Sequence, residues 1–297
     1  MTFELRLSEA RAAVDDRLQA LLAQPDIPVR LADAMRHAVL GGGKRFRPFL
    51  VLETARMLSG PRRAALEVAA AIELVHCYSL VHDDLPAMDA DRTRRGQPTV
   101  WVAFDEWTAI LAGDALLTLA FEAVTEAVGE LGGAATVAIT RELARAAGPA
   151  GMVAGQMLDM AMERLDPAAR ADPDAIRAMQ RLKTGALIRA ACVCGAILSA
   201  APPAERDRLG RFGDLLGLAF QISDDLLDAT GDAAIVGKAT AKDAAAGKGT
   251  LVAVLGVDGA RTRLAEVEAE AITTLAPYGS AADALINAVR TMSTRQA

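Results

Sequence analysis

The sequence predicts an all-α protein with a single domain over residues 1–297. Ala, Leu and Arg are abundant in its composition, whereas aromatic residues make up only 4%. Such residues favour helices, and no succession of β-branched runs separated by hairpin turns is present, as a β-rich domain would require. A chain of 297 residues is also long enough to bury a sizeable core.

Apolar periodicity places the helices in order along the chain. In the first half we predict helices over 4–23, 29–40, 46–58 and 64–84, then helical segments from 100 to 145 with breaks near Gly113, Gly129 and Gly132–Gly133. In the second half we predict helices over 174–200 and 204–229, a loop over 231–250, and two closing helices within 258–294. Glycine and proline set these breaks, because both interrupt helical patterns.

The overall charge excludes one class of partner. The formal net charge is −6, whereas a nucleic-acid-binding protein needs a basic stripe. We therefore predict no nucleic-acid partner, and we consider each basic residue together with its neighbours in the sequence.

Nothing in the sequence predicts a membrane span. The N-terminal residues mix both charges, unlike a signal peptide. The longest apolar run, 190–204, contains two prolines and is shorter than the roughly 20 residues that cross a bilayer. Cys77, Cys192 and Cys194 lie in apolar helical contexts without zinc-type spacing, which favours buried reduced thiols. We predict a soluble, cytoplasmic protein.

The stretch from Leu74 to Gly96 brings three acids to the end of an apolar helical run. On an unbroken helix Asp83 and Asp89 would lie about 240° apart, but Pro86 disfavours helical geometry at the residue before it. We therefore predict that the chain turns Asp89 back towards Asp83. Carboxylates at this density suit Mg²⁺. Taken alone, the string also fits a solvated loop or the N-terminal acids of a following helix.

A second acidic cluster ends the helix predicted over 204–229. Asp224 and Asp228 are four residues apart, about 40° from each other on one helical face. Like charges at this spacing repel unless a cation lies between them. The cluster therefore predicts a second metal site.

Two basic segments predict the binding of phosphate groups. Gly41–Gly43 allow the backbone to approach an anion closely, and Lys44 and Arg47 supply a point charge and a bidentate fork. A solvated basic turn is the alternative for this segment. The segment Gly231–Thr250 is rich in Ala, Gly and Lys, and it either covers a phosphate as a basic lid or forms a loop with no ligand.

Several polar side chains interrupt apolar helical faces. His76 lies seven residues before Asp83, on about the same face, and is either a core histidine or a functional one. Gln156 and Asp159 occur in a run of Met, Ala and Leu, and need wet or charged partners. Lys183 likewise interrupts an apolar helix.

Together these features predict chemistry in which diphosphate leaves carbon. Two acidic helix ends facing each other across a bundle would hold metal ions around one diphosphate, and the basic residues would hold a second phosphate group beside it. The metals stabilise the leaving oxygens, and an apolar interior keeps the resulting carbocation dry.

Seven segments make this prediction more specific: GGGKRFRP, HCYSLVHDDLPAMDADRTRRG, ILAGDALL, AGQMLD, KTGALIRAA, GLAFQISDDLLDATGD and GKATAKDAAAGKGT. In these segments the chain resembles the trans-isoprenyl diphosphate synthases, in particular the bacterial farnesyl diphosphate synthases, from about residue 31 to residue 255. One departure is Gly249, where many relatives have serine.

The resemblance implies an antiparallel helical bundle of the isoprenoid synthase type around a central cavity, assembled as a homodimer. It implies that isopentenyl diphosphate condenses with an allylic diphosphate, dimethylallyl and then geranyl, to give farnesyl diphosphate. It also implies a Mg²⁺ cofactor, with three ions when substrate is bound, and removal of the proton by the departing diphosphate.

By this resemblance each candidate residue has a role. The metal ligands are Asp83, Asp84, Asp89, Asp224, Asp225 and Asp228. The contacts to the allylic diphosphate come from Arg94, Lys183, Lys238 and Lys248, and those to isopentenyl diphosphate from Lys44, Arg47, His76 and Arg95. The catalytic set is Lys183, Thr184, Gln221 and Lys238, of which Thr184 and Gln221 line the path of the carbocation.

Two residues bear on the length of the product. Tyr78 and Ser79 precede Asp83 by five and four residues and project from the helix roughly 6 to 8 Å below the metal site. In this family an aromatic residue at position 78 implies a fifteen-carbon product. We therefore predict farnesyl diphosphate, with the twenty-carbon geranylgeranyl diphosphate as the alternative.

Three other classes of protein fit less well. A terpene cyclase would need no second basic set such as Lys44, Arg47 and Arg95. A non-catalytic subunit of a prenyl synthase would lack the acidic motifs. A di-iron bundle would carry a Glu-xx-His motif, which none of the three histidines forms.

Overall fold

Helices account for 82% of the residues that the structure describes. This structure is a computed structural model, and it describes residues 3–162, 164–165, 172–230 and 250–293. Within those ranges strand is confined to one antiparallel hairpin of two residues on each side, β1 (Thr93–Arg94) and β2 (Gln97–Pro98). The predicted all-α class is confirmed.

The chain divides into two compact units, which are described separately. The first unit contains residues 1–141 and 194–201, and the second contains residues 142–193 and 202–297. The single domain predicted over 1–297 stays a prediction.

The first unit is built around a long buried helix. Its helices are α1 (Phe3–Leu21), α2 (Val29–Leu40), α3 (Phe46–Met57), α4 (Arg62–Asp83), α5 (Val100–Ala103), α6 (Glu106–Glu126), α7 (Val128–Leu131) and most of α8 (Gly133–Ala147). Helix α4 packs against α6, α3 and α1, and the side chains from Val68 to Val75 are all buried. The predicted helices agree with these bounds to within about three residues.

One predicted break in the first unit is wrong. Gly113 lies inside α6, which continues without interruption from Glu106 to Glu126. The reason for a glycine at this place is space: a Cβ on Gly113 would lie 2.1 Å from Nε2 of His82. The glycine therefore lets α6 lie close to α4 and does not end the helix.

The second unit departs from the predicted helices at two places. Its elements are α9 (Met152–Met162), α10 (Pro173–Gln180), a π-helical turn (Arg181–Gly185), α11 (Ala186–Leu198, which continues into the first unit), α12 (Pro203–Thr230), α13 (Leu251–Leu275), a 3₁₀ segment (Ala276–Ala282) and α14 (Asp283–Ser293). The helix predicted over 174–200 thus contains a π turn. A short helical stretch from Leu251 precedes the closing helices, and the non-helical Gly256 at φ 71° separates it from the rest of α13, which begins close to the predicted residue 258.

Two helical stretches have the length and apolar character of a membrane span. They are Arg62–Asp83 and Glu106–Leu131, whose most apolar windows are 78% and 50% buried inside the protein. A core helix of a soluble protein passes the same test, so length and composition alone decide little here. The predicted absence of a membrane span stays a prediction.

Candidate active site

The acidic end of α4 has the turned-back geometry that the sequence predicts. The helix ends at Asp83, and Asp84 caps it. The backbone N–H of Asp89 then donates to the carbonyl oxygen of Asp83 at 2.8 Å. Asp83 and Asp89 are both half-buried. The break before Pro86 therefore brings the two residues together at the end of the helix.

Asp84 has a different environment from its two neighbours. It is only 3% exposed, and Arg94 binds it with two nitrogens: Nη2 lies 2.6 Å from Oδ1, and Nε lies 2.7 Å from Oδ1 and 3.0 Å from Oδ2. Burial raises the pKa of Asp84, and the hydrogen bonds and charge of Arg94 oppose that rise. Arg94 therefore ties the β1 strand to the acidic end of α4.

The hairpin itself was not predicted. Its turn residues, Arg95 and Gly96, have φ angles of 54° and 78°, and positive φ at both positions is the geometry of a tight two-residue hairpin turn. Left-handed geometry costs a non-glycine residue roughly 1–2 kcal/mol. Gly96 after two arginines was the signal in the sequence that a hairpin turn was present.

The hairpin turn lies against the glycine-rich turn before α3. Arg95 donates from Nη1 to the carbonyl oxygen of Gly42, and a Cβ on Gly43 would lie 2.7 Å from the same nitrogen. Gly43 also has a φ of 131°, a conformation that residues with a Cβ rarely adopt, so glycine suits this position. The structure thus brings the GGGKRFRP segment and the second arginine of the RRG sequence together.

His76 lies in the positive field of this cluster. Its pKa is lowered well below the ordinary value, first by burial and then by the charges of Arg47 and Arg95, with smaller effects from Arg94 and Arg45. The imidazole is therefore neutral near pH 7. Lys44, the fourth residue predicted to hold isopentenyl diphosphate, is exposed on the neighbouring turn.

In the second unit the π turn carries the predicted Lys183 and Thr184. Lys183 Nζ lies 2.5 Å from Oδ2 of Asp159 on α9. A Cβ on Gly155 would lie 2.1 Å from the backbone nitrogen of Lys183, so α9 and the π turn are in direct backbone contact. π turns inside helices often occur at functional sites.

Gln156, beside this pair, has an unusual environment. Its side-chain Nε2 and Oε1 are both buried, and neither has a hydrogen-bond partner among the described residues. Because buried amides normally have partners, this side chain is suited to a bound ligand.

The second acidic cluster again contains one carboxylate that is unlike the others. Asp225 is 5% exposed and accepts hydrogen bonds from Gln221 Nε2 at 3.1 Å, Gln180 Nε2 at 3.3 Å and the backbone N–H of Leu251 at 3.0 Å. Asp224 and Asp228 are half-buried on the same helix. Asp225 therefore fastens three segments of the second unit to one another.

The residues predicted to limit product length lie near the end of α4. Tyr78 is 6% exposed and meets the ring of His82 edge-on at 5.9 Å between centroids. Burial and the charge of Asp83 raise the pKa of Tyr78 to about 12, so the phenol stays neutral. Ser79 donates from Oγ to the carbonyl oxygen of His76 at 2.9 Å.

The donor set fits a hard cation that is shared with a ligand. In the ranges described here, no three His, Cys, Asp or Glu side chains are grouped to enclose a metal ion. Mg²⁺ needs no such cage, because it usually takes one or two protein carboxylates and completes its shell with water and phosphate oxygens. The half-buried carboxylates of each acidic cluster meet that requirement. Lys238, Lys248 and Gly249 lie outside the described residues.

Comparison with known proteins gives one consistent family. Residues 28–277 match the polyprenyl synthetase family. The farnesyl diphosphate synthase of Escherichia coli is 46% identical over 237 residues, which are 78% of this chain and 77% of that protein. A chloroplastic geranylgeranyl pyrophosphate synthase of Arabidopsis thaliana is 40% identical over 245 residues, 82% of this chain and 68% of the relative. An FPP/GFPP synthase structure from Zymomonas mobilis has a TM-score of 0.89 at 39% identity, covering 98% of this chain and 99% of the other.

Proposed function

The chain belongs to the polyprenyl synthetase family, and we propose that it is a farnesyl diphosphate synthase. It condenses isopentenyl diphosphate with dimethylallyl diphosphate and then with geranyl diphosphate. Both the farnesyl diphosphate synthases among its relatives and the resemblance of its motifs support this proposal. Geranylgeranyl diphosphate synthesis is the second candidate, because a synthase of that name is also similar to the chain.

One observation carries the proposal: the first unit holds a cationic cluster that is distinct from its acidic helix end. Arg95 donates to the glycine turn that precedes Arg47, and the charges of both arginines act on His76. Such a cluster suits a diphosphate that needs no metal, which is what a second substrate requires. An enzyme with one diphosphate substrate, such as a cyclase, would have no use for it.

We assign the metal ions to the half-buried carboxylates. Asp83 and Asp89 at the end of α4 would bind Mg²⁺ in the first unit, and Asp224 and Asp228 on α12 would bind it in the second unit. The resemblance implies three ions when substrate is bound. The ions supply positive charge at the leaving oxygens of the allylic diphosphate. Asp84 and Asp225, which were also predicted as ligands, already accept hydrogen bonds from the protein. They would hold in place the helix ends that carry the other carboxylates.

The remaining side chains would hold the allylic substrate and shield the cation. Lys183 would neutralise charge on the departing diphosphate, while Thr184 and Gln221 present oxygen atoms to the carbocation. Arg94 would reach the same diphosphate beside Asp84. No side chain of this set is required as a general base, because the diphosphate oxygens can accept the proton.

Product length is proposed to depend on Tyr78. Tyr78 is 6% exposed. It lies five residues, or roughly 7.5 Å, before Asp83 on α4, which supports a role at the far end of a chain that grows away from the metal ions. We propose that it stops growth at fifteen carbons.

We further propose that the enzyme is a cytoplasmic homodimer without a membrane span. Helix α6 exposes Trp107, Ile110 and Leu111 to 57%, 45% and 50%, and a second copy of the chain is the occupant that would cover them. Analytical ultracentrifugation tests the homodimer, because a protein that is monomeric at micromolar concentration would refute it.

The test of function is product analysis with purified protein, Mg²⁺, isopentenyl diphosphate and one allylic diphosphate at a time. We expect dimethylallyl and geranyl diphosphate to be converted to farnesyl diphosphate, and farnesyl diphosphate to be a poor acceptor. Efficient extension of farnesyl diphosphate would favour the twenty-carbon product. Absence of any condensation would refute the proposed reaction.

A further inference from the structure

Arg45 is the most deeply buried cation in the first unit. The residue is 2% exposed, and each guanidinium nitrogen has its own acceptor: Nε donates to Asp15 Oδ1 at 2.7 Å, Nη1 to Glu73 Oε1 at 2.7 Å and Nη2 to the carbonyl oxygen of Val39 at 2.6 Å. An arginine with this set of partners cannot contact a ligand. It must act through the elements that it joins.

The backbone of Arg45 is held in an unfavourable conformation. Its φ and ψ are 49° and 39°, the left-handed region, and it is the N-cap of α3. Left-handed geometry costs a residue with a Cβ roughly 1–2 kcal/mol, so it persists only where the surroundings fix it. The three side-chain bonds of Arg45 supply that constraint.

Arg45 lies between the two basic residues proposed to bind isopentenyl diphosphate. Lys44 comes directly before the left-handed residue, and Arg47 is the second residue of α3. The conformation of Arg45 therefore sets the direction in which Lys44 and Arg47 leave the turn.

Glu73 extends the same constraint to the opposite side of the cluster. It lies on α4, one helical turn before His76 and Cys77. It is 2% exposed and accepts from Arg45. Cys77 lies with Sγ 4.0 Å from Glu73 Oε1 and is also hydrogen-bonded to Arg95. The buried pair thus joins the glycine turn to the helix that carries His76.

We propose that Arg45 and Glu73 are positioning residues for the isopentenyl diphosphate site. They hold Lys44 and Arg47 at a fixed distance from His76 and Arg95, so that the four groups meet one diphosphate without rearrangement. This inference rests on the proposed function. It predicts a substrate-selective effect, because the allylic diphosphate is assigned to other residues.

The test is Glu73→Gln, which keeps the size of the side chain and removes the charge. We expect KM for isopentenyl diphosphate to rise about tenfold, because a misplaced binding group loses much of its contribution. The KM for geranyl diphosphate should change by less than about twofold, because that substrate is assigned to residues outside the cationic cluster. Arg45→Lys, which keeps the charge but removes the planar fork, should have the same selective effect.

A matched control lies on the same helix. Glu67 forms an equally short ion pair, 2.7 Å to Nε of Arg17, but it is about two and a half turns away from His76 and joins α4 to α1. Glu67→Gln should lower stability as Glu73→Gln does and leave both KM values unchanged. Thermal unfolding of each variant separates loss of fold from loss of positioning.

The outcomes separate the inference from the function on which it rests. If the wild-type protein forms no prenyl product, the proposed function fails. If the wild type condenses its substrates and neither Glu73→Gln nor Arg45→Lys raises KM for isopentenyl diphosphate more than Glu67→Gln does, the positioning role is refuted. A rise in both KM values by the same factor would also refute it.

Discussion

Replacing Gly155 with alanine tests whether backbone contact between α9 and the π turn positions Lys183. A Cβ at this position would lie 2.1 Å from the backbone nitrogen of Lys183 and 2.5 Å from its Cα. Ordinary van der Waals contact begins at 3.4 Å. Because the crowded atoms belong to the backbone, no side-chain rotation relieves the overlap. The two segments must separate by about 1.3 Å, which is 3.4 Å minus 2.1 Å.

This displacement falls on the atoms proposed to act in catalysis. Asp159 is one helical turn beyond Gly155 on α9 and holds Lys183 Nζ at 2.5 Å. Moving the helix away from the π turn lengthens or breaks that ion pair and changes where Lys183 points. Misplacement of a catalytic group by about 1 Å costs on the order of 100-fold in rate. We expect kcat to fall by that factor, and overpacking to lower the free energy of unfolding by about 1–3 kcal/mol.

The measurement is steady-state turnover of geranyl and isopentenyl diphosphates, together with urea denaturation. Gly129→Ala is the matched control, because a Cβ there meets no atom within 4 Å and the residue has no positive φ. It should leave kcat unchanged and should not lower stability, because alanine is favoured over glycine in a helix by up to about 1 kcal/mol. A Gly155→Ala enzyme that keeps kcat within about threefold of the wild type would show that the contact does not position Lys183.

Three further predictions concern other parts of the site. Tyr78→Ala should shift the main product from fifteen to twenty carbons in product analysis, and an unchanged product would remove Tyr78 as the limit on length. Asp83→Ala and Asp224→Ala should each lower kcat by about 100-fold or more. Chelation of the metal with EDTA should have the same effect. Losses of only a few fold would contradict the proposed metal roles. The folded-state pKa of His76 lies well below its ordinary value, so the unfolded chain binds the proton first as the pH falls. The free energy of unfolding should therefore decrease as the pH drops through about 6.5. His76→Gln should reduce that decrease in denaturation curves measured between about pH 7.5 and about pH 5.5.

The sequence predicted the helices well because their signals are local. Apolar periodicity and proline positions do not depend on distant contacts, and α2 has the predicted bounds of Val29 to Leu40. The turn of Asp89 towards Asp83 was likewise predictable, because Pro86 acts on the residue next to it.

The same local reasoning fails where a glycine serves a distant neighbour. A glycine inside a helical pattern indicates a break as readily as a close contact. Gly113 and Gly155 are both inside helices, and each lies where a Cβ would overlap another segment, His82 in one case and Lys183 in the other. Only the tertiary packing distinguishes these two roles, so the predicted break near Gly113 was wrong. Arg45 was missed for a related reason, because nothing in the letters GGGKRFRP separates the buried Arg45 from Lys44 and Arg47, which are proposed to bind a ligand.

The two acidic motifs also show what side-chain burial adds to a sequence pattern. In each motif the second aspartate of the DD pair is the buried one, Asp84 at 3% and Asp225 at 5% exposure, and each accepts several protein hydrogen bonds. A buried carboxylate with its oxygens occupied by protein donors has little capacity left for an ion. It can still fix the backbone on either side of it.

The aspartates of each motif therefore differ in their surroundings. Asp83 and Asp89 in the first motif are half-buried, as are Asp224 and Asp228 in the second. The buried Asp84 binds the hairpin residue Arg94. The buried Asp225 binds the start of α13. Mg²⁺ enforces near-ideal octahedral geometry, so a helix end that carries the proposed ligands would benefit from being held rigidly. The sequence repeats the motif on two helices, and each copy has one buried aspartate bound by protein donors and two half-buried aspartates that we propose as metal ligands.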